Sequence, residues 1–237
     1  MVLPIQEMDF SAVKTRTLVE DVSEHLATLV RQMKPGEQNV LPSERKLAEK
    51  FGVARGVVRE AVKRLEIQGL LEVRRGSGIR AINRLHDPLT ASLGLLIPEM
   101  EERLLQLCDA RAAIEPAVVK EAARRAKKDD VAALWKLQEN LEEASDLESA
   151  VEMDIQFHRK LAEIAGNEIF KLVLESNADL RRESTNRTIG NVGKTRAVKH
   201  HRAIIEAIEA RDSEGASIAM TMHIVAARND LKVRRKK

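Results

Sequence analysis

The feature that most constrains the fold is a series of helical patterns that fills the second half of the chain. Apolar residues recur with a helical period over roughly 99–127, 129–144, 148–165, 168–187, 195–211 and 213–232, and no run there alternates like a strand. Aromatic residues make up only 2% of the chain, and Tyr is absent. A core built from Leu, Ile, Val, Ala and Met favours helices over a β-sandwich, so this half is predicted to be all-helical.

The first half has a different order of elements. An amphipathic helix is predicted over 17–33. A short second helix has Ser43 as its N-cap and Gly52 at its C-terminal end. A third helix begins near Arg55 and ends at Gly69.

Two short alternating runs follow the third helix. They cover 70–75 and 79–82, on either side of Gly76, Ser77 and Gly78. Alternation about a glycine-rich turn predicts a β-hairpin. Helix, glycine turn, helix and hairpin in this order are typical of a winged helix-turn-helix DNA-binding domain.

The third helix has the residues expected of a recognition helix. Arg55 and Arg59 are four residues apart, on the face opposite Val58 and Val62. Arginine binds guanine edges and phosphates. Between Val40 and Arg84, 11 Lys and Arg stand against 5 Asp and Glu, a local charge of 11 − 5 = +6. The interpretation that competes with DNA binding is an ordinary solvated surface, in which Arg45 pairs with Glu49.

These residues also carry a resemblance to a known family. The run LPSER at 41–45 is followed in order by Leu47-Ala48, GVAR at 52–55, VREA at 58–61, Leu65-Glu66, GLL at 69–71 and GSG at 76–78. This order resembles the signature of the GntR family of bacterial transcription regulators. The resemblance implies that Arg45, Arg55 and Arg59 contact DNA and that Gly76, Ser77 and Gly78 approach the minor groove. Ala54 departs from the Ser or Thr that is common there.

The helical half contains a set of candidate metal ligands. Asp154 and His158 lie four residues apart on a face that is otherwise apolar. His201 and His223 each lie about 15 Å from the turn near Asp212, since a helix rises 1.5 Å per residue, so they lie level in an antiparallel pair. His201 is in phase with the apolar residues of its helix and is preferred to its neighbour, His200. Three imidazoles and a carboxylate suit zinc, with nickel, cobalt or manganese as alternatives.

This half resembles the FCD ligand-binding domain of the FadR subfamily of GntR regulators. The resemblance is carried by Arg111 in DARAAIEP, by DIQFH and by the segments around the last two histidines. It implies that Asp154, His158, His201 and His223 bind a divalent metal and that an arginine holds a carboxylate effector. Arg111 lies within an apolar stripe, and its partner is either Glu115 or that effector. Asn167, at a helix break, is a second candidate for effector binding.

Together these patterns predict a mainly α protein with two domains. We expect a winged helix-turn-helix over 13–83, a linker over 84–94 and an all-helical bundle over 95–234. The single Cys108 and the lack of a signal peptide or membrane span predict a cytoplasmic protein without a membrane partner.

The function predicted from the sequence is that of a regulator, not an enzyme. We expect a homodimeric repressor that binds double-stranded operator DNA and responds to a small carboxylate: a sugar acid, a hydroxy acid or a dicarboxylate. One alternative is a constitutive DNA-binding regulator with a purely structural metal. The other is a metal-dependent hydrolase with a DNA-binding appendage, against which no HExxH-like arrangement is present.

Overall fold

A computed structural model describes residues 16–33, 39–74, 78–96 and 99–233. The chain divides into two compact units, with the division between Pro88 and Leu89. None of the helices in these described ranges is long and apolar enough to cross a membrane.

The first unit has the predicted order of helices and strands. Thr17 and Glu20 form a capping box at its first helix, Ser43 accepts a hydrogen bond from the backbone of Lys46, and Gly52 ends the second helix in the left-handed conformation. The elements are α1 (Leu18–Gln32), β1 (Val40–Leu41), α2 (Glu44–Phe51), α3 (Arg55–Ile67), β2 (Leu71–Arg74) and β3 (Gly78–Ala81).

The three strands form one antiparallel sheet in the order β1-β3-β2. β2 and β3 are the predicted hairpin, with Val73 opposite Ile79, and β1 was not predicted. The core of this unit joins α1, α3 and the sheet through buried aliphatic side chains, among them Leu26, Val58 and Leu71. This core holds α3 with its arginine-bearing face toward solvent.

The second unit is helical throughout its described residues. Its central helix, α5, packs against α7, α9, α10 and α11. Its main core contains Phe157, Leu161, Ile204 and Met220. The helices are α4 (Asp87–Leu96), which spans the division between the units, then α5 (Met100–Arg125), α6 (Lys128–Glu143), α7 (Leu147–Ala165), α8 (Glu168–Ser176), α9 (Ala178–Val192), α10 (Thr195–Glu209) and α11 (Ser213–Leu231).

Two further details differ from the sequence-based pattern. The stretch predicted as one helix over 168–187 is divided at Asn177, whose side chain donates to the carbonyl of Val173. Residues 87–96, within and just beyond the predicted linker, form the helix α4. Pro88 lies in its first turn, where a missing backbone N–H costs little.

Candidate metal and effector site

The four predicted metal ligands meet in the second unit. Asp154 and His158 come from α7, His201 from α10 and His223 from α11, and all four are buried. One potential ligand atom from each lies within 4.8 Å of the others. The sequence analysis identified every member of this cluster.

Two of the separations within the cluster match the spacing of ligand atoms around a divalent ion. Nε2 of His158 lies 3.2 Å from Nε2 of His223, and Nε2 of His201 lies 3.3 Å from Oδ1 of Asp154. With bonds of about 2.0–2.1 Å, neighbouring ligand atoms around one ion are separated by about 2.9–3.4 Å. Neither ring nitrogen of the fully buried His201, including the Nε2 that faces Asp154, has a hydrogen-bond partner among the described residues. The donor set therefore suits a bound metal better than an ordinary core.

Packing fixes the orientation of these rings. His201 stacks on Phe157, with ring centroids 3.9 Å apart and an interplanar angle of 14°. The rings of His201 and His223 are 4.8 Å apart, as their predicted level positions require. His200 is only half-buried, and its ring is 5.9 Å from that of His223. The structure therefore brings His201, and not His200, into the cluster.

A buried carboxylate lies directly behind the cluster. Oε2 of Glu115 is 2.7 Å from Nδ1 of His158, and Oε1 accepts a hydrogen bond from Nε of Arg111, also at 2.7 Å. Arg181 of α9 donates to the same Oε1. A carboxylate that accepts from the outer nitrogen of a histidine orients the inner nitrogen toward a metal. Sequence reasoning raised the Arg111–Glu115 pair, but it missed Arg181.

The charges of this layer determine the protonation of the site. Burial raises the pKa of Glu115, but Arg111, Arg181 and His158 outweigh it and hold that pKa well below its usual value. Burial lowers the pKa of His158 to about 4, against the opposing effect of Glu115. Burial and the neighbouring His201 also hold the pKa of His223 well below its usual value. Both imidazoles are therefore neutral at pH 7, the state that binds metal.

A cavity adjoins the cluster between α9, α10 and α11. Its volume is about 30 Å³, and Arg111, Asp154 and His223 line it together with groups that lie further out. Arg111 is 4% exposed, and its Nη2 has no hydrogen-bond partner among the described residues. Nε of Arg111 donates to Glu115, while Nη2 remains without a partner. Arg111 can therefore pair with Glu115 and with an effector carboxylate at the same time.

Asn167 does not reach this cavity. It is an exposed N-cap of α8, and its side-chain oxygen accepts from the backbone nitrogens of Ile169 at 3.0 Å and Phe170 at 3.2 Å. A helix break signals a cap as readily as a pocket residue, and capping accounts fully for an Asn here. Asn167 is therefore not carried into the proposed site.

The predicted DNA-reading arginines lie on the surface of the first unit. The side chains of Arg55 and Arg59 are 62% and 64% exposed, and Nε of each approaches Oε2 of Glu44, at 3.1 and 3.7 Å. Arg45 pairs with Glu49 at 2.5 Å, as the surface-charge interpretation required. Such exposed pairs are weak, so phosphates can replace the acidic partners.

The hairpin is described only in part. Gly76 and Ser77 lie outside the described residues. Gly78 begins β3 with a φ of +82°, a left-handed value that favours glycine. It pairs with Arg74 of β2.

Comparison with known families fits both units. A model described as "Bacterial regulatory proteins, gntR family" matches residues 18–80, and the FCD domain model matches residues 106–226. The chain belongs to the GntR family. It is a DNA-binding transcription regulator with an FCD domain, and the predicted fold class is confirmed. The prediction that it is not an enzyme is also confirmed.

Individual relatives agree with this assignment. The "HTH-type transcriptional repressor NanR" of Salmonella arizonae is 30% identical over 217 residues, covering 88% of this chain and 82% of that protein, and its Salmonella typhimurium counterpart matches equally. A solved structure, "Streptococcus agalactiae GntR", has a TM-score of 0.74 and 28% identity, covering 89% of this chain and 99% of that one.

Proposed function

We propose that this GntR regulator is a homodimeric cytoplasmic repressor whose operator binding is released by a small organic acid held at a metal in the FCD domain. The observation that supports the proposal most is the buried cluster of Asp154, His158, His201 and His223 beside a cavity that Arg111 also lines. Nη2 of this arginine has no hydrogen-bond partner among the described residues. The repressor role follows its relatives, which are named as repressors.

The metal proposed for this cluster is zinc, with nickel, cobalt or manganese as alternatives. Asp154, His158, His201 and His223 would hold it, and Glu115 would fix the ring of His158. A divalent ion supplies a positive centre that accepts a carboxylate oxygen. The metal and Arg111 together would neutralise an acid that the apolar bundle alone would exclude.

DNA binding is assigned to the exposed arginines of the first unit. Arg55 and Arg59 of α3 would enter the major groove, Arg45 would contact the backbone, and the glycines of the hairpin turn would approach the minor groove. A dimer is proposed because two recognition helices match operator half-sites about 34 Å apart.

One experiment separates this function from a constitutive regulator with a structural metal. Metal-loaded and EDTA-treated protein are each titrated onto operator DNA, with and without a panel of organic acids. We expect one class of acid to weaken binding by the metal-loaded protein only. A structural metal would instead leave operator affinity insensitive to every acid, although its removal would lower the melting temperature.

A further inference from the structure

We propose that Thr185, Thr188 and Asp230 form a hydrogen-bond acceptor wall, which selects acids that carry hydroxyl or ammonium groups beyond the carboxylate. This inference rests on the proposed function, because the metal and Arg111 must first hold the carboxylate. All three residues line the same cavity as His223 and Arg111. The wall would favour a hydroxylated acid over a plain fatty acid or a long dicarboxylate.

The two threonine hydroxyls have already donated their hydrogens. Oγ1 of Thr185 donates to Oδ2 of Asp154 at 3.1 Å, and Oγ1 of Thr188 donates to the carbonyl of Thr185 at 3.2 Å. A hydroxyl has one hydrogen and two lone pairs, so while these hydrogen bonds are kept each oxygen has only lone pairs to offer a ligand. A ligand donor meets both oxygens without breaking either hydrogen bond, whereas a ligand acceptor would have to displace one.

Asp230 is also an acceptor. It is 4% exposed, and its Oδ1 accepts from Nη1 of Arg196, whose side chain is half-exposed. The side-chain amide of Asn191 donates to the backbone carbonyl of Asp230 and not to its carboxylate. Arg196 lines the cavity beside Asp230 and already has that carboxylate as its partner, so a second ligand carboxylate at this end would have to share Arg196 with Asp230 or displace it.

The cavity therefore has two chemically different ends. Arg111 and the bound metal would form the cationic end, and the acceptor wall, with the neutral pair of Arg196 and Asp230, leads away from it. His223 and Asp230 are seven residues apart on α11, which places them on one face about 10 Å from each other along the helix. An acid bound by its carboxylate at the first end extends its chain along the wall.

Space for that chain lies at the mouth of the cavity. The cavity of about 30 Å³ accommodates little more than an ion or a water molecule. Val192, Arg196, His200 and Ala226 also line a neighbouring open groove of about 590 Å³. The chain of a six-carbon acid would pass Thr188 and Asp230 on its way into this groove.

The test uses the full-length, zinc-loaded protein and six-carbon acids. Binding of D-gluconate, D-galactonate, hexanoate and adipate is measured by titration calorimetry, with acetate as a probe of the metal end alone. We expect the tighter of the two sugar acids to bind at least tenfold more tightly than hexanoate and adipate. Equal or tighter binding of hexanoate or adipate would overturn the acceptor wall.

Conservative variants locate the effect. Asp230→Asn keeps the shape of the side chain, and the only group that it leaves without a partner is the half-exposed Arg196. This change should weaken sugar-acid binding roughly tenfold or more. Thr188→Val should weaken it roughly threefold to tenfold. Neither change should alter acetate binding. Thr221→Val is a matched control, since Thr221 also donates to a helix carbonyl but does not line the cavity.

The outcomes separate this inference from the proposed function. If acetate binds the zinc-loaded protein but Asp230→Asn and Thr188→Val leave sugar-acid affinity unchanged, the acceptor wall is wrong and the metal site stands. If no acid binds, the proposed function fails and the acceptor wall fails with it. Asp109→Asn, which removes the partner of Arg228 outside the cavity, excludes a general effect of breaking an ion pair.

Discussion

At the scale of single residues, the least expected feature is the environment of Glu115. One carboxylate pairs with two buried arginines and also contacts His158, one of the proposed metal ligands. A buried charge is tolerated only when it is paired, so Glu115 couples the electrostatic balance of the core to the geometry of the proposed metal site.

Replacing Glu115 should therefore affect stability and metal binding together. Glu115→Gln leaves Arg111 and Arg181 buried without a counter-charge, and we expect a loss of about 3–5 kcal/mol in the free energy of unfolding. Metal affinity should fall about 10- to 100-fold, because His158 loses its orienting partner. Urea unfolding of metal-free protein and competitive metal titration measure the two effects.

Glu121→Gln is the matched control for this change. Glu121 lies on the same helix and also contacts two arginines, Arg124 at 2.6 Å and Arg125 at 3.4 Å, but near the surface. Its loss should cost about 0–1 kcal/mol. Equal destabilisation by the two substitutions would contradict the role given to Glu115.

The choice between adjacent histidines is tested in the same way. We expect His201→Ala and His223→Ala to reduce the metal content of purified protein, because both rings lie in the buried cluster. His200→Ala should retain full metal content, since His200 lies outside that cluster. Elemental analysis of the three proteins measures this, and loss of metal from the His200 variant alone would reverse the assignment.

At the scale of helices and strands, α3 begins without a side-chain cap. Its N-cap is Ala54, with extended backbone angles of φ −63° and ψ 143°. Ala54→Ser should supply the missing acceptor and stabilise the protein by about 1 kcal/mol. Ser43→Ala, which removes the corresponding cap of α2, should have the opposite effect of similar size. Chemical denaturation of both variants compares them, and destabilisation by Ala54→Ser would contradict the assigned cap.

The assignment of α3 as the recognition helix is tested by removing its exposed arginines. Arg55→Ala and Arg59→Ala should each weaken operator binding by about 1–3 kcal/mol if the lost contact is to a base. If the lost contact is to a phosphate, the slope of log affinity against log salt concentration should fall in magnitude by about 1. Arg64→Ala is the control, because Arg64 lies on the same helix and is 3.6 Å from Glu20 of α1. Wild-type affinity of both test variants across a salt titration would show that α3 is not the recognition helix.

Sequence reasoning succeeded where a periodic apolar face meets a clear end signal. Helix α2 is an example, since Ser43 and Gly52 mark its two ends. It missed the two-residue β1, because a short strand is specified only by its distant partner β3. It also missed α4, whose polar first residues resemble a linker although Pro88 is compatible with a first helical turn.

The candidate site was also predicted only in part from the sequence. The four proposed metal ligands are of types that rarely occur together on apolar faces, so the sequence alone predicted that they cluster. Arg181 and Arg182 are adjacent and chemically identical, yet only Arg181 is buried. The buried face of α9 consists of Arg181, Ser184, Thr185 and Ile189, so it contains no apolar stripe that would reveal its phase.

At the scale of the whole molecule, the proposed DNA-binding surface and the proposed effector site belong to different units. The two units divide at Pro88 and Leu89, within the first residues of α4. An effector changes operator affinity only through its difference in affinity between two conformations of the protein. A coupling of about 1–3 kcal/mol corresponds to a change of about 5- to 150-fold in operator affinity.

Arg111 should transmit the effector signal without being needed for metal or DNA binding. In Arg111→Ala, Glu115 keeps Arg181 and His158 as partners, so the metal cluster should persist. Operator affinity without effector should remain, because the recognition helix lies in the other unit. The variant should lose release by the acid that releases the wild-type protein, since the free Nη2 that meets the carboxylate is gone. Operator titrations with and without that acid measure the difference.

Arg228→Ala, which removes an arginine outside the cavity, should respond normally. Release of the Arg111 variant at the wild-type acid concentration would leave Arg111 as a structural partner of Glu115 alone.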